Sequence, residues 1–114
     1  MGLGFSHSDA HWSYSGFNRF RSRLATEIGI NLSKMRGFGD GYKSWDNIKD
    51  PIVPLLNHSD CDGKLGLREM KKIAPRLREL VELWGEDDWD RKQALILARD
   101  MEQCVERKIQ LEFC

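Results

Sequence analysis

The chain is short of cysteine, of net charge and of long apolar runs, and each shortage excludes a class of protein. Its three cysteines, Cys61, Cys104 and Cys114, are an odd number with no Cys-x-x-Cys pair. A secreted disulfide scaffold would be denser and even, so a reducing, cytoplasmic setting is expected. The 18 Lys+Arg are matched by 18 Asp+Glu, which argues against holding nucleic acid by bulk charge. The longest apolar stretches, 51–56 and 94–98, fall far short of the roughly 20 residues of a membrane-spanning helix, so no membrane partner is expected. No basic region followed by an apolar run marks a signal peptide. Met1-Gly2-x-x-x-Ser6 fits the N-myristoylation pattern, which requires a eukaryotic host. No Gly-Lys-Ser/Thr follows Gly37-Phe-Gly-Asp-Gly41, so that loop is not a Walker loop.

What is present is a globular composition, 40% hydrophobic and 32% charged over 114 residues, which fits one ordered domain. Residues 1–14, rich in Gly, Ser and His, read as an irregular N-terminal arm. A helix is predicted over 15–28, because Phe17, Phe20, Leu24 and Ile28 recur at spacings of three and four. Ser13 or Ser15 caps its start and Gly29 stands where a left-handed C-cap belongs. Arg19 and Arg23 face away from the apolar stripe, with Arg21 on its flank. A short helical piece over 31–35 precedes the glycine loop.

Asp50-Pro51 opens a brief helix, which Pro54 and the turn-rich 57–63 stretch cut short. A longer helix over 67–84 carries Met70, Ile73, Leu77, Leu80 and Trp84 on one side, with Pro75 expected to kink it. Asp87 or Asp88 caps a last helix to about Arg107, striped by Ala94, Leu97, Met101 and Cys104. Residues 109–113 alternate apolar and polar, a strand period without an identifiable partner. The predicted fold is mainly α: a small single-domain helical bundle over 1–114 with a helix–loop–helix at 51–84 and a minor strand pair. Phe20, Leu24, Leu77, Leu97 and Met101 are expected in one shared core.

One loop carries a chemical signal. In His58-Ser-Asp60-Cys-Asp62-Gly63-Lys64-Leu65-Gly66-Leu67-Arg68-Glu69, Gly63 can be set at the sixth position, where a sharp turn requires it. Asp60 and Asp62 then fall at positions three and five, Lys64 at seven with its carbonyl as ligand, and Glu69 at twelve in the first turn of the next helix. That arrangement resembles an EF-hand calcium loop, whose oxygen donors suit a hard cation. Position one departs from the pattern: His58 replaces the usual Asp, and imidazole is a poor calcium ligand. Asn57 would supply an oxygen if the loop were one residue longer. Position nine is Gly66, where water would serve. Three carboxylates are enough for a weak Ca2+ site. The plainer alternative is that Asp60 and Asp62 cap turns while Gly63 permits the bend.

A second candidate site is anionic in its ligand. Eight of the eleven aromatics lie in the first 45 residues, among six basic and three acidic groups in residues 1–44. Ser15, Arg19, Arg23, Arg36 and Tyr42 could meet a nucleotide's phosphate and ring there. The competing reading makes the aromatics core and the arginines a solvated face. His7 and His11, four apart, could join His58 and Asp60 around a transition metal, but no helical pattern fixes that spacing. Ser59 or Cys61 beside His58 lacks a second base or an oxyanion loop, so an enzyme is not indicated.

The string Trp12-Ser-Tyr-Ser-Gly-Phe-Asn-Arg-Phe-Arg, the block Leu55-Leu-Asn-His-Ser-Asp-Cys-Asp-Gly63, Ile73-Ala-Pro-Arg-Leu and Leu111-Glu-Phe113 together resemble a family of small uncharacterised bacterial and phage proteins. The resemblance implies a prokaryotic or viral cytoplasmic protein and carries over no catalytic residue. The expected function is that of a small non-enzymatic binding protein with an EF-hand-like, weakly cation-binding loop. The alternative is a phage counter-defence protein that sequesters a nucleotide signal or masks a host defence protein.

Overall fold

Three helices form where apolar periodicity places them. In the computed structural model, which describes residues 2–38, 41–58 and 63–113, helix α1 runs Tyr14–Glu27 and is capped by the Ser13 hydroxyl, which accepts from Gly16 N at 3.0 Å. After the brief α2 (Val53–Leu56), helix α3 spans Leu67–Val81 and α4 spans Trp89–Arg107. Asp88 caps α4 through Arg91 N at 3.2 Å. Helix α3 stops at Val81, short of the expected Trp84, and Pro75 is accommodated inside it. Asp50 caps a turn ahead of α2 rather than α2 itself, accepting from Ile52 N at 3.0 Å.

The expected irregular arm is a β-hairpin. Strands β1 (Gly2–Phe5) and β2 (Ser8–Ser13) pair antiparallel, with Leu3 opposite Trp12. Leu3, Phe5, Ala10 and Trp12 are buried while residues between them face outward, the period-two pattern of a half-buried strand. Gly, Ser and His between the apolar positions mask that alternation in composition.

The tail strand has a partner after all. Strand β4 (Leu111–Glu112) pairs antiparallel with β3 (Lys64–Leu65), the segment immediately after Gly63. The β1–β2 turn is tied to the same tail: Ser6 N donates to Glu112 O and Glu112 N to the Ser6 hydroxyl, both at 3.0 Å. Among the described residues the fold is therefore four α-helices and two small antiparallel strand pairs, with a radius of gyration of 13.3 Å.

Trp12 sits where hairpin, α1 and α4 meet. Its ring stacks on Phe20 at 4.6 Å and meets Phe17 at 5.4 Å, and its indole N–H donates to Asp90 at 3.0 Å. Helix α4 also takes up polar groups along β2. His11 N donates to Gln93 at 3.0 Å, and the Ser8 hydroxyl to the buried Asp100 at 2.7 Å. Covering strand N–H groups in this way removes a template for unwanted pairing. Against this layer α3 packs on α4 and on α1, and Phe20, Leu24, Leu77, Leu97 and Met101 are all fully buried. Leu77→Ala should therefore cost about 2–5 kcal/mol, the range for a buried leucine cut back to alanine. Urea denaturation checks this; unchanged stability would place Leu77 outside the core.

Candidate functional site

The corner between α2 and α3 is assembled from α1 outward. Arg21 lies on the buried side of α1, between Phe17 and Leu24, and is only 3% exposed. Its Nη1 donates to the carbonyls of Leu56, at 3.2 Å, and of His58. The Phe17 and Phe38 rings flank the guanidinium at 4.8 and 5.0 Å. A side chain expected on the flank thus fixes the end of α2 and the start of the loop. The His58 ring stacks on Phe113 at 3.9 Å, and its Nε2 is 3.1 Å from the carbonyl of Lys64. A carbonyl only accepts, so Nε2 carries the proton of that bond.

Gly63 has φ +91°, and a Cβ there would meet His58 Cε1 at 3.0 Å. Only glycine takes that bend without strain. Its carbonyl accepts from Phe113 N at 2.8 Å, so the tail closes over the loop. Glu69 is in the first turn of α3, and its Oε1 accepts from Gly66 N at 3.1 Å. This is the return half of a capping box; Gly66 has no side chain for the other half.

Of the expected cation ligands, Asp60 and Asp62 lie outside the described residues. Lys64 presents its carbonyl to the His58 ring, Glu69 is engaged at the helix start, and Asn57 is exposed at the end of α2, with its N–H donating to Val53 O at 2.8 Å. Among the described residues no group of three or more His, Cys, Asp or Glu side chains gathers as a metal shell. His7 is in the hairpin turn, His11 packs edge-on against Trp89 at 5.6 Å, and His58 is held at the corner against Phe113.

The anion candidates divide between separate places. Ser15 is exposed in the first turn of α1, where the capping role belongs to Ser13. Arg23 does not stand free on a solvated face. It forms a fork with Asp88 at 2.7 and 3.0 Å, bonds Asp90 at 2.9 Å and lies over the Trp84 ring at 3.7 Å. Arg19 lines a cavity of about 400 Å³ with Arg23, Trp89 and Asp90, whose carboxylate opposes an anion. Tyr42 lines a different cavity, and Arg36 lines neither.

Comparison with known proteins gives no match to any family model, curated protein or solved structure. Among the described residues no helix is long and apolar enough to cross a membrane.

Two carboxylates are held below their ordinary range. The Arg23 hydrogen bonds lower Asp88 against the opposing effect of its burial, and Asp88 in turn raises Arg23. For Asp50 burial pushes upward, but the Arg76 hydrogen bonds, the Ile52 N–H and the Arg76 charge together outweigh it. A depressed carboxylate stabilises the fold above its unfolded pKa, and that contribution is lost as pH falls through the folded value. Asp88→Asn should therefore be less stable than wild type from about pH 5 to 8, and the gap should narrow as pH falls below the ordinary carboxylate range of about 4. Denaturation midpoints across pH measure this; a gap that widens in acid would contradict it.

Proposed function

We propose that this chain is a small non-enzymatic binding protein whose 57–69 corner is an EF-hand-like loop holding a divalent cation weakly. The observation that carries this reading is the order of the corner. Gly63 bends at φ +91°, the Lys64–Leu65 strand follows at once, and Glu69 stands in the first turn of α3. In that order the Asp60 and Asp62 carboxylates, the Lys64 carbonyl and Glu69 make an oxygen set of the kind calcium takes. In an EF-hand the strand after the bend pairs with a second loop. Here it pairs with the chain's own tail, Leu65 opposite Leu111, so the corner is a single site.

His58 accounts for the weakness. Its ring supplies no oxygen at position one and engages the Lys64 carbonyl, so an entering cation displaces a hydrogen bond before it gains a ligand. An affinity on the order of 10⁻⁴–10⁻³ M follows. Thermal melting with added calcium tests the reading. About 10 mM calcium at the weaker affinity should add roughly 1.4 kcal/mol by mass action, a rise of several degrees. Asp62→Asn and Glu69→Gln should abolish the rise, and magnesium should produce less of one. His58→Asp, which supplies the missing oxygen and releases the carbonyl, should tighten calcium binding. A flat melting temperature up to that concentration, in wild type and His58→Asp alike, retires the cation.

A further inference from the structure

We propose that the cleft between residues 29–35 and 42–48 binds a nucleotide, with its base on Tyr42 and its phosphate on Lys34 and Lys43. The site is separate from the 57–69 corner and from the arginines of α1. The cleft has a volume of about 530 Å³, within the range of small-ligand pockets. Tyr42 is 74% exposed, which leaves its ring face free to stack. Among the described residues, Lys34 and Lys43 form no ion pair. None of the described lining residues is acidic, and Asp46 and Asp50, close by in sequence, do not line the cleft.

The backbone holds these three side chains together. The Lys34 carbonyl accepts from both Tyr42 N and Lys43 N at 3.0 Å, and Arg36 N donates back to Lys43 O at 2.9 Å. The crossing that permits this is at Gly41, where a Cβ would run into the Met35 carbonyl oxygen. Trp45 braces the loop from behind, its indole N–H donating to Arg36 O at 3.0 Å and its ring set against Phe38. Backbone hydrogen bonds therefore tie the Lys34, Tyr42 and Lys43 positions to one another.

The chemistry selects a planar anion over a plain one. Ile30 and Ile48 give the cleft an apolar side and Asn47 an amide, the combination that receives a stacked base and reads its polar edge. An adjoining cavity also lined by Ile48 carries Lys49, Arg68 and Lys72. These three cations outnumber its two acids, Asp50, which is paired with Arg76 at 2.8 Å, and Glu69, which accepts from Gly66 N and keeps its charge. The potential is thus positive on both sides of Ile48, which draws a phosphate inward.

Isothermal titration of the full chain in a chelator tests this independently of the cation loop. The probes are AMP, GMP, CMP and UMP, with the matching nucleosides and inorganic phosphate as controls. At least one nucleotide should bind more tightly than its nucleoside and than phosphate. Tyr42→Ala should weaken that nucleotide about 5- to 150-fold, the range for loss of one base–aromatic stack. The Lys34→Gln/Lys43→Gln double variant should bring it to the level of the nucleoside, and Arg19→Gln should leave it unchanged. These side chains are on the surface, and unchanged melting temperatures check that each variant is folded. No nucleotide binding below roughly 1 mM overturns the proposal. So does phosphate or a nucleoside binding as tightly as the nucleotide, or a loss on Arg19→Gln without one on Tyr42→Ala.

Discussion

Burial of the Arg21 guanidinium is the constraint around which the α2–α3 corner is arranged. A charge removed from water costs several kcal/mol unless its donors find acceptors. Here the acceptors are the Leu56 and His58 carbonyls, one at the end of α2 and one at the start of the bend. One side chain of α1 therefore sets where the loop begins. With its carbonyl held, His58 turns its ring onto Phe113, and Phe113 meets Phe5 edge-on at 4.9 Å. Phe5 in turn contacts Trp12 at 6.3 Å. A line of rings thus runs from the loop through the tail to the hairpin and the centre of the core.

Helix α4 decides which cations remain available for binding. Asp88 and Asp90 engage Arg23, Asp90 also takes the Trp12 indole, and Asp100 takes the Ser8 hydroxyl. These bonds secure the hairpin and the start of α4, and they withdraw Arg23 from any ligand. Lys34 and Lys43, on the loop beyond α1, make no such pairs among the described residues. The division separates charges engaged within the fold from the two lysines that the proposed cleft uses.

The long helices were legible because their apolar residues repeat at three and four, a signal that survives any loop around them. The hairpin was not, since its four inward residues are spaced by Gly, Ser, Asp and His that read as turn. Arg21 had a legible signal: the spacing 17, 20, 21, 24 puts it on the buried face with Phe17, Phe20 and Leu24. Its charge made the flank the natural assignment, because the carbonyls that accept its hydrogen bonds lie 35 and 37 residues away. Distance hid the Arg23 partners in the same way, 65 and 67 residues off. The tail strand was seen but not its partner, since β3 is only two residues long. Gly63 was read correctly from the turn it must make. The Lys34–Tyr42–Lys43 cleft left no periodic trace, because one carbonyl and a glycine crossing bring it together.

The corner's claim to be a cation site is tested most directly by counting the cation. Equilibrium dialysis of the chain against calcium should show saturable binding of one ion per chain, half-complete on the order of 10⁻⁴–10⁻³ M, and none in Glu69→Gln. Binding that never saturates, or that Glu69→Gln leaves intact, would contradict the account and reduce the corner to a turn latched by His58.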